Sequence, residues 1–162
     1  MLAPAYSRFD TPLGSMLAAA TDQGLCGLWF DGQRHQPDMA TWKQNAQHPL
    51  LLQTATFMEA YFAGDTAPFT LPLDLAGGTP FQQTVWRALL HIPRGATTSY
   101  GALSQSLGRS SAVRAVAGAV GRNPVSVLVP CHRVVGINGA LTGYAGGLER
   151  KIALLQLEGI SV

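Results

Sequence analysis

The sequence predicts an α+β chain in two parts. A small antiparallel β-sheet with one helix covers residues 1–76, and a mostly helical part containing a helix-turn-helix covers residues 77–162. Three observations carry this expectation. Short apolar runs separated by turn residues fill the chain before residue 31, as a β-meander requires. After Gly77-Gly78 the apolar period becomes that of amphipathic helices. The charge also divides there: residues 1–74 hold three Lys/Arg against seven Asp/Glu, whereas residues 75–148 hold six arginines and no acid. Apolar content of 47% with 12% charged residues excludes a disordered chain.

In the first part, Ala5–Asp10, Ser15–Ala20 and Leu25–Phe30 read as strands. Thr11-Pro12-Leu13-Gly14 and Asp22-Gln23-Gly24 supply the turns between them. Residues 31–48 are polar and loop-like. Pro49 suits the first turn of a helix that carries Leu50, Phe57 and Tyr61 as its core stripe and stops at Gly64.

The second part opens on a strong helix start, with Thr79 as N-cap, Pro80 at the first position and Gln82 closing a capping box. Phe81, Val85 and Leu89 form its stripe, and Ile92-Pro93-Arg94-Gly95 ends it. Ser99–Leu107 and Ser111–Val120, joined by Gly108-Arg109-Ser110, read as the helix-turn-helix, the second helix capped by Ser111. That helix has small residues around one long cation, Arg114, so its backbone can approach a partner closely. A long stretch of positive charge without acids points to a polyanion such as nucleic acid. Asn138-Gly139 marks a type I′ hairpin, and Leu148–Glu158 is the closing helix, with Leu148, Ile152 and Leu155 inward. Glu158 lies at the end where the helix dipole disfavours an anion, so a compensating cation is expected, His132 among the candidates.

Between these elements the run Val125–Val129 reads as a strand leading into Pro130-Cys131-His132-Arg133. Proline removes a backbone donor and fixes φ, which ends or kinks the strand just before the thiol. A free cysteine is commonly a small buried hydrophobe. The His and Arg beside Cys131 favour instead a presented thiol of lowered pKa, because cationic neighbours stabilise thiolate. Cys26 and His35 lack metal-ligand spacing and are expected as core and surface residues, so no metal and no cofactor are called for. With two cysteines, no CxxC pair, no targeting signal and no apolar run of membrane-span length, a cytoplasmic protein with free thiols is expected.

These motifs closely resemble the O6-alkylguanine-DNA alkyltransferases, also called methylated-DNA–protein-cysteine methyltransferases. The resemblance runs in order through Phe81–Trp86, Ile92–Gly95, Ser99-Tyr100, Arg114–Val116, Asn123-Pro124, Pro130–Val134, Gly143–Gly147 and Leu155–Gly159, about half the chain. In the first 75 residues only Thr11-Pro12-Leu13-Gly14 is signature-like. The resemblance implies a ribonuclease-H-like N-terminal domain and a winged helix-turn-helix C-terminal domain. It implies single-turnover, irreversible transfer of an alkyl group from O6-alkylguanine, and from O4-alkylthymine, in double-stranded DNA to Cys131.

By the same resemblance His132 takes the thiol proton through a water, Glu158 orients His132, and Asn123 braces the thiol segment. Tyr100 hydrogen-bonds the guanine and helps turn its phosphate, and Arg114 replaces the flipped base in the stack. Carbonyls of Cys131 and Val134 accept from the exocyclic amine, and N–H groups of Tyr144 and Ala145 hold the alkylated oxygen. Arg133, Arg122 and Arg109 are expected on the DNA-binding face. The partner is duplex DNA containing alkylated guanine, bound by a monomer, with cooperativity along DNA left open and no membrane involved. Some members have serine where this chain has Ala145; a main-chain contact survives that change and a hydroxyl contact does not.

Elementary chemistry fits the same roles. A poorly paired alkylated base costs only a few kcal/mol to flip. Thiolate is the strongest protein nucleophile for displacement at carbon, and a thiol with pKa about 8.5 needs a base near neutrality. A non-catalytic DNA binder and a cysteine hydrolase using a Cys–His pair are the other classes compatible with parts of the pattern.

Overall fold

The computed structural model describes residues 3–162; Met1 and Leu2, the first positions of the expected N-terminal part, lie outside them. The meander forms as expected, with β1 (Ala5–Thr11), β2 (Gly14–Thr21) and β3 (Gly24–Phe30) paired antiparallel. Thr11 Oγ1 closes the first turn by donating to Gly14 O at 2.6 Å and accepting from Leu13 N–H at 3.1 Å. A fourth strand, β4 (Lys43–Gln44), lies parallel to β1 within the stretch expected to be loop. Two residues are too few to show a period, so the sequence pattern could not announce it.

β2 is buried on both faces. Met16, Ala18 and Ala20 face the main core, while Leu17 and Ala19 join Trp29 in a second cluster against Tyr6, Cys26, Met39 and Trp42. The segment after β3 therefore covers the sheet's outer face. α1 (Pro49–Phe62) packs on the inner face through Leu51, Thr54, Met58 and Tyr61. The expected stripe shares only Tyr61 with this face, because Leu50 and Phe57 are partly buried at its margin. Thr54 hides its hydroxyl on Leu50 O at 2.8 Å, which lets a polar residue sit inward.

α2 (Pro80–Leu89) carries the expected capping box between Thr79 and Gln82. Its Trp86 donates Nε1–H to Ala119 O at 2.8 Å, tying it to α4 (Val113–Gly121). α3 (Tyr100–Ser106) and α4 form the expected helical hairpin. α4 begins later than Ser111 and has no side-chain cap; Ala112 N–H turns back to Arg109 O at 2.8 Å, so residues 109–112 are spent in the turn.

The largest departure is at Val125–Val129, which forms no strand. Only Val125 bridges Leu28 of β3. Val127 then takes φ +71°, with Leu128 N–H on Ser126 O at 2.9 Å, and Pro130 takes φ −82°, ψ 62°, with Cys131 N–H on Val129 O at 2.7 Å. These are two three-residue turns of opposite hand, the first in the rare strained form. Cys131–Arg133 continues as one 3₁₀ turn. The turn at Asn138-Gly139 does form, both residues at positive φ, but no strand follows it. β6 (Val134–Val135) instead runs parallel to β5 (Thr98–Ser99). α5 (Leu148–Leu157) buries Lys151, Leu154 and Leu155, whereas Leu148 of the expected stripe is 42% exposed. No helix among the described residues is long and apolar enough to cross a membrane.

Candidate active site

Cys131 is 6% exposed, not presented, and lies in the wall of a cavity of about 840 Å³ that also includes Tyr100, Arg114, Tyr144 and Ala145. Burial pushes its thiol up to about 11, partly offset by the Asn123 carboxamide and the Lys151 ammonium. The expected lowering of the thiol pKa is thus reversed. Burial is the cause, and Arg133 does not offset it because its guanidinium is engaged by Glu158, with Nε to Oε1 at 2.7 Å and Nη2 to Oε2 at 3.0 Å.

Behind the thiol lies a buried polar cluster. His132 is fully buried, and its Nε2 lies 2.9 Å from Glu158 Oε2. Tyr61 donates its hydroxyl to the same oxygen at 2.6 Å. Burial opposes ionisation of Glu158, but donors from His132, Arg133 and Tyr61 outweigh it and hold the carboxyl well below the usual range. Burial lowers His132, with Arg133 and Lys151 adding to the effect against Glu158. Neutral imidazole beside an ionised carboxylate must place its proton on Nε2, since a carboxylate only accepts. Nδ1 is left as a lone pair, and it is buried without a hydrogen-bond partner among the described residues. That atom can take a proton; the cation that compensates Glu158 is foremost Arg133.

The thiol segment is braced by Asn123, whose Oδ1 accepts from Val125 N–H at 3.0 Å and whose Nδ2 donates to Val125 O at 3.3 Å and Val129 O at 2.7 Å. Tyr100 Oη accepts from Thr142 Oγ1 at 3.3 Å at the cavity edge. Arg114 projects from an exposed position on α4 into the cavity lining.

One of the expected residues stands elsewhere. Arg133 is consumed by Glu158 and by Ile92 O at 2.7 Å, so it is a structural cation rather than a DNA-facing one. Arg109 is exposed but lies over the Phe81 ring at 5.3 Å, and Arg122 is exposed at the end of α4, outside the cavity. Val134 is buried, and its carbonyl already accepts from Lys151 Nζ at 2.7 Å.

Lys151, Tyr61 and the Gly32–His35 segment at the cavity mouth are the participants that sequence reasoning missed. A fully buried lysine has no periodic signature, and Tyr61 looks like an ordinary core aromatic. Gly32–His35 carries only a turn glycine and polar residues, which read as loop.

Comparison with known proteins accounts for this geometry. The family model for the 6-O-methylguanine DNA methyltransferase DNA-binding domain matches residues 80–160, and that for the ribonuclease-like domain of the same proteins matches residues 5–75. A methylated-DNA–protein-cysteine methyltransferase of Mycobacterium leprae is 43% identical over 149 residues, 92% of this chain and 88% of its own. The constitutive one of Bacillus subtilis is 43% identical over 96% of each chain. The crystal structure of Mycobacterium tuberculosis OGT in complex with DNA superposes with a TM-score of 0.87 at 42% identity, covering 95% of this chain and 92% of that one. The expected architecture of a ribonuclease-like sheet domain and a helical DNA-binding domain holds. The chain belongs to the O6-methylguanine DNA methyltransferase family, DNA-repair proteins that move the methyl group of O6-methylguanine onto a protein cysteine.

Proposed function

We propose that Cys131 is the acceptor of this reaction and reacts once. The observation that carries the reading is a thiol in the cavity wall whose chain neighbour, His132, keeps an unpartnered basic nitrogen because its other nitrogen is bonded to Glu158. The thiol proton passes through a water to His132 Nδ1, and Glu158 stabilises the imidazolium. The sulfur–carbon bond forms as the carbon–O6 bond breaks, and guanine leaves with the electron pair. Tyr100 lies at the cavity edge, where its hydroxyl can donate to the departing base and neutralise the charge that develops. The thioether is a poor leaving group, so the protein does not turn over.

The same reading makes duplex DNA the partner of a monomer working in the cytoplasm, with no cofactor. Residues 77–162 carry the DNA-binding and acceptor functions, and residues 1–76 support them. Arg114 fills the stack left by the flipped base, and the Tyr144 and Ala145 N–H groups meet the alkylated oxygen. Val134 O keeps a second lone pair for the exocyclic amine while Lys151 holds the first. O4-alkylthymine, flipped in the same way, is a second substrate.

Incubation with duplex containing O6-methylguanine should add the mass of one CH₂ unit to the peptide carrying Cys131. No adduct, or an adduct on Cys26, would overturn the assignment. With about four phosphates neutralised, log K for duplex should fall against log[salt] with a slope near −3.6.

A further inference from the structure

α5 carries two charges against its dipole, an anion at its C-terminal end and a cation, Arg150, in its first turn. Glu158 is explained by the cluster around His132. Arg150 has another set of partners. Its Nε donates to Leu13 O at 3.0 Å, its Nη1 donates to Gly146 O at 3.1 Å, and its guanidinium lies 4.6 Å over the Phe30 ring. One planar fork thus joins the β1–β2 turn and β3 of the N-terminal sheet to the loop at residues 143–147. The fit is close on both sides. A Cβ on Gly14, at φ +116°, would stand 3.0 Å from Arg150 Nη2, and one on Gly146 would stand 2.7 Å from the Tyr144 ring and 3.2 Å from Phe30.

The loop's three successive carbonyls each have a donor. Tyr144 O accepts from Gly147 N–H at 2.9 Å, Ala145 O from Arg34 N–H at 3.0 Å, and Gly146 O from Arg150. A peptide unit is planar, so a fixed carbonyl fixes the N–H of the next residue. Arg150 on Gly146 O sets Gly147 N–H, which holds Tyr144 O, and that carbonyl's own unit carries Ala145 N–H. Two of the three donors, Arg34 and Arg150, belong to the N-terminal sheet region or are anchored on it.

We infer that Arg150 is a positioning residue for alkyl transfer, holding the 144–147 backbone against the N-terminal sheet so that the Ala145 N–H faces the alkylated oxygen. The inference rests on the reading of Tyr144 and Ala145 given above. It assigns a task to the Thr11–Gly14 turn, which lies outside the cavity lining: Leu13 O is the fixed point from which the fork is aimed.

The test is single-turnover transfer from O6-methylguanine duplex by the full chain, with Arg150→Met and Arg150→Lys beside the wild type. Misplaced donors cost rate at the chemical step. The limiting rate constant should fall about tenfold in Arg150→Met and by a smaller factor in Arg150→Lys, which keeps the charge but not the fork. The duplex concentration giving half the limiting rate, and alkylation of Cys131 by iodoacetamide, should stay at wild-type values, since neither uses the loop N–H groups. An unchanged limiting rate in both variants would overturn the inference while leaving wild-type transfer to Cys131 intact. So would a fall matched by altered iodoacetamide reactivity, the sign of general loosening. Should Arg150→Met not fold, Arg150→Lys carries the same comparison. Absence of transfer by the wild type itself would remove the underlying reading as well.

Discussion

Arg114 and Arg133 come from the same acid-free stretch and carry the same charge, yet they inhabit opposite environments. Arg114 stands exposed on α4 at the cavity rim, where its charge acts through solvent on whatever approaches. Arg133 lies inside, its fork spent on Glu158 and a backbone carbonyl. The exposed charge is screened by salt and free to meet phosphate or a base stack. The partly buried charge must be paired, because a guanidinium largely withdrawn from water without a partner is costly. Counting charges along the chain treats the two as equal, and so overstates the DNA-facing surface while missing the cation that helps keep the Glu158 carboxylate ionised.

The comparison can be broken at its inner half first. Cys131→Ala should abolish methyl transfer and leave duplex affinity intact, measured by adduct mass and by titration; lost affinity would mean the buried turn also shapes the outer face. Glu158→Gln should lower the transfer rate by about 10² or more, since His132 loses the anion that fixes its tautomer and stabilises its protonated form. The same change leaves Arg133 unpaired and should cost about 3 kcal/mol of stability in urea unfolding. Wild-type stability in this variant would show that Arg133 finds water instead.

The outer half is tested by Arg114→Ala. Transfer from duplex should fall about tenfold while transfer from the free alkylated base is unchanged, and the salt slope should shrink by about 1. Equal losses on both substrates would move Arg114 out of the stack-filling role.

Effects on pH are smaller and discriminate the proton path. With the thiol near 11 and His132 lowered, an internal transfer to Nδ1 predicts a rate nearly level between about pH 7 and 9. A tenfold rise per pH unit would mean that the proton leaves to solvent and the relay is wrong. Stability should likewise be level between the ordinary imidazole value of about 6.5 and the ordinary thiol value of about 8.5, above which buried Cys131 keeps a proton that the unfolded chain gives up and stability falls. Below the imidazole value, the unfolded chain takes up a proton that buried His132 resists, so stability falls as pH drops. Glu158, held low in the fold, adds to the loss once pH passes down through about 4.3. Least of all, Arg109→Ala should cost no more than about 1 kcal/mol, the worth of an exposed cation–π contact over Phe81.

The sequence by itself determined what depends on neighbours in the chain. The three strands of the meander, the Thr79–Gln82 capping box, the Asn138-Gly139 turn and the Pro-Cys-His-Arg motif all rest on local sterics and hydrogen bonds within a few residues. Only the tertiary structure decided what depends on where distant acceptors arrive. Val125–Val129 has an apolar strand's composition, but β3 offers it a single bridge, so it folds into two tight turns that carry the thiol inward. Lys151 is buried because Val134 O and Thr142 O reach it, and Arg133 is partly buried because Glu158 reaches it from 25 residues away. Tyr61 meets that same carboxylate across 97 residues. A polar group can be buried only where its partners converge, and that convergence is a property of the fold rather than of any segment.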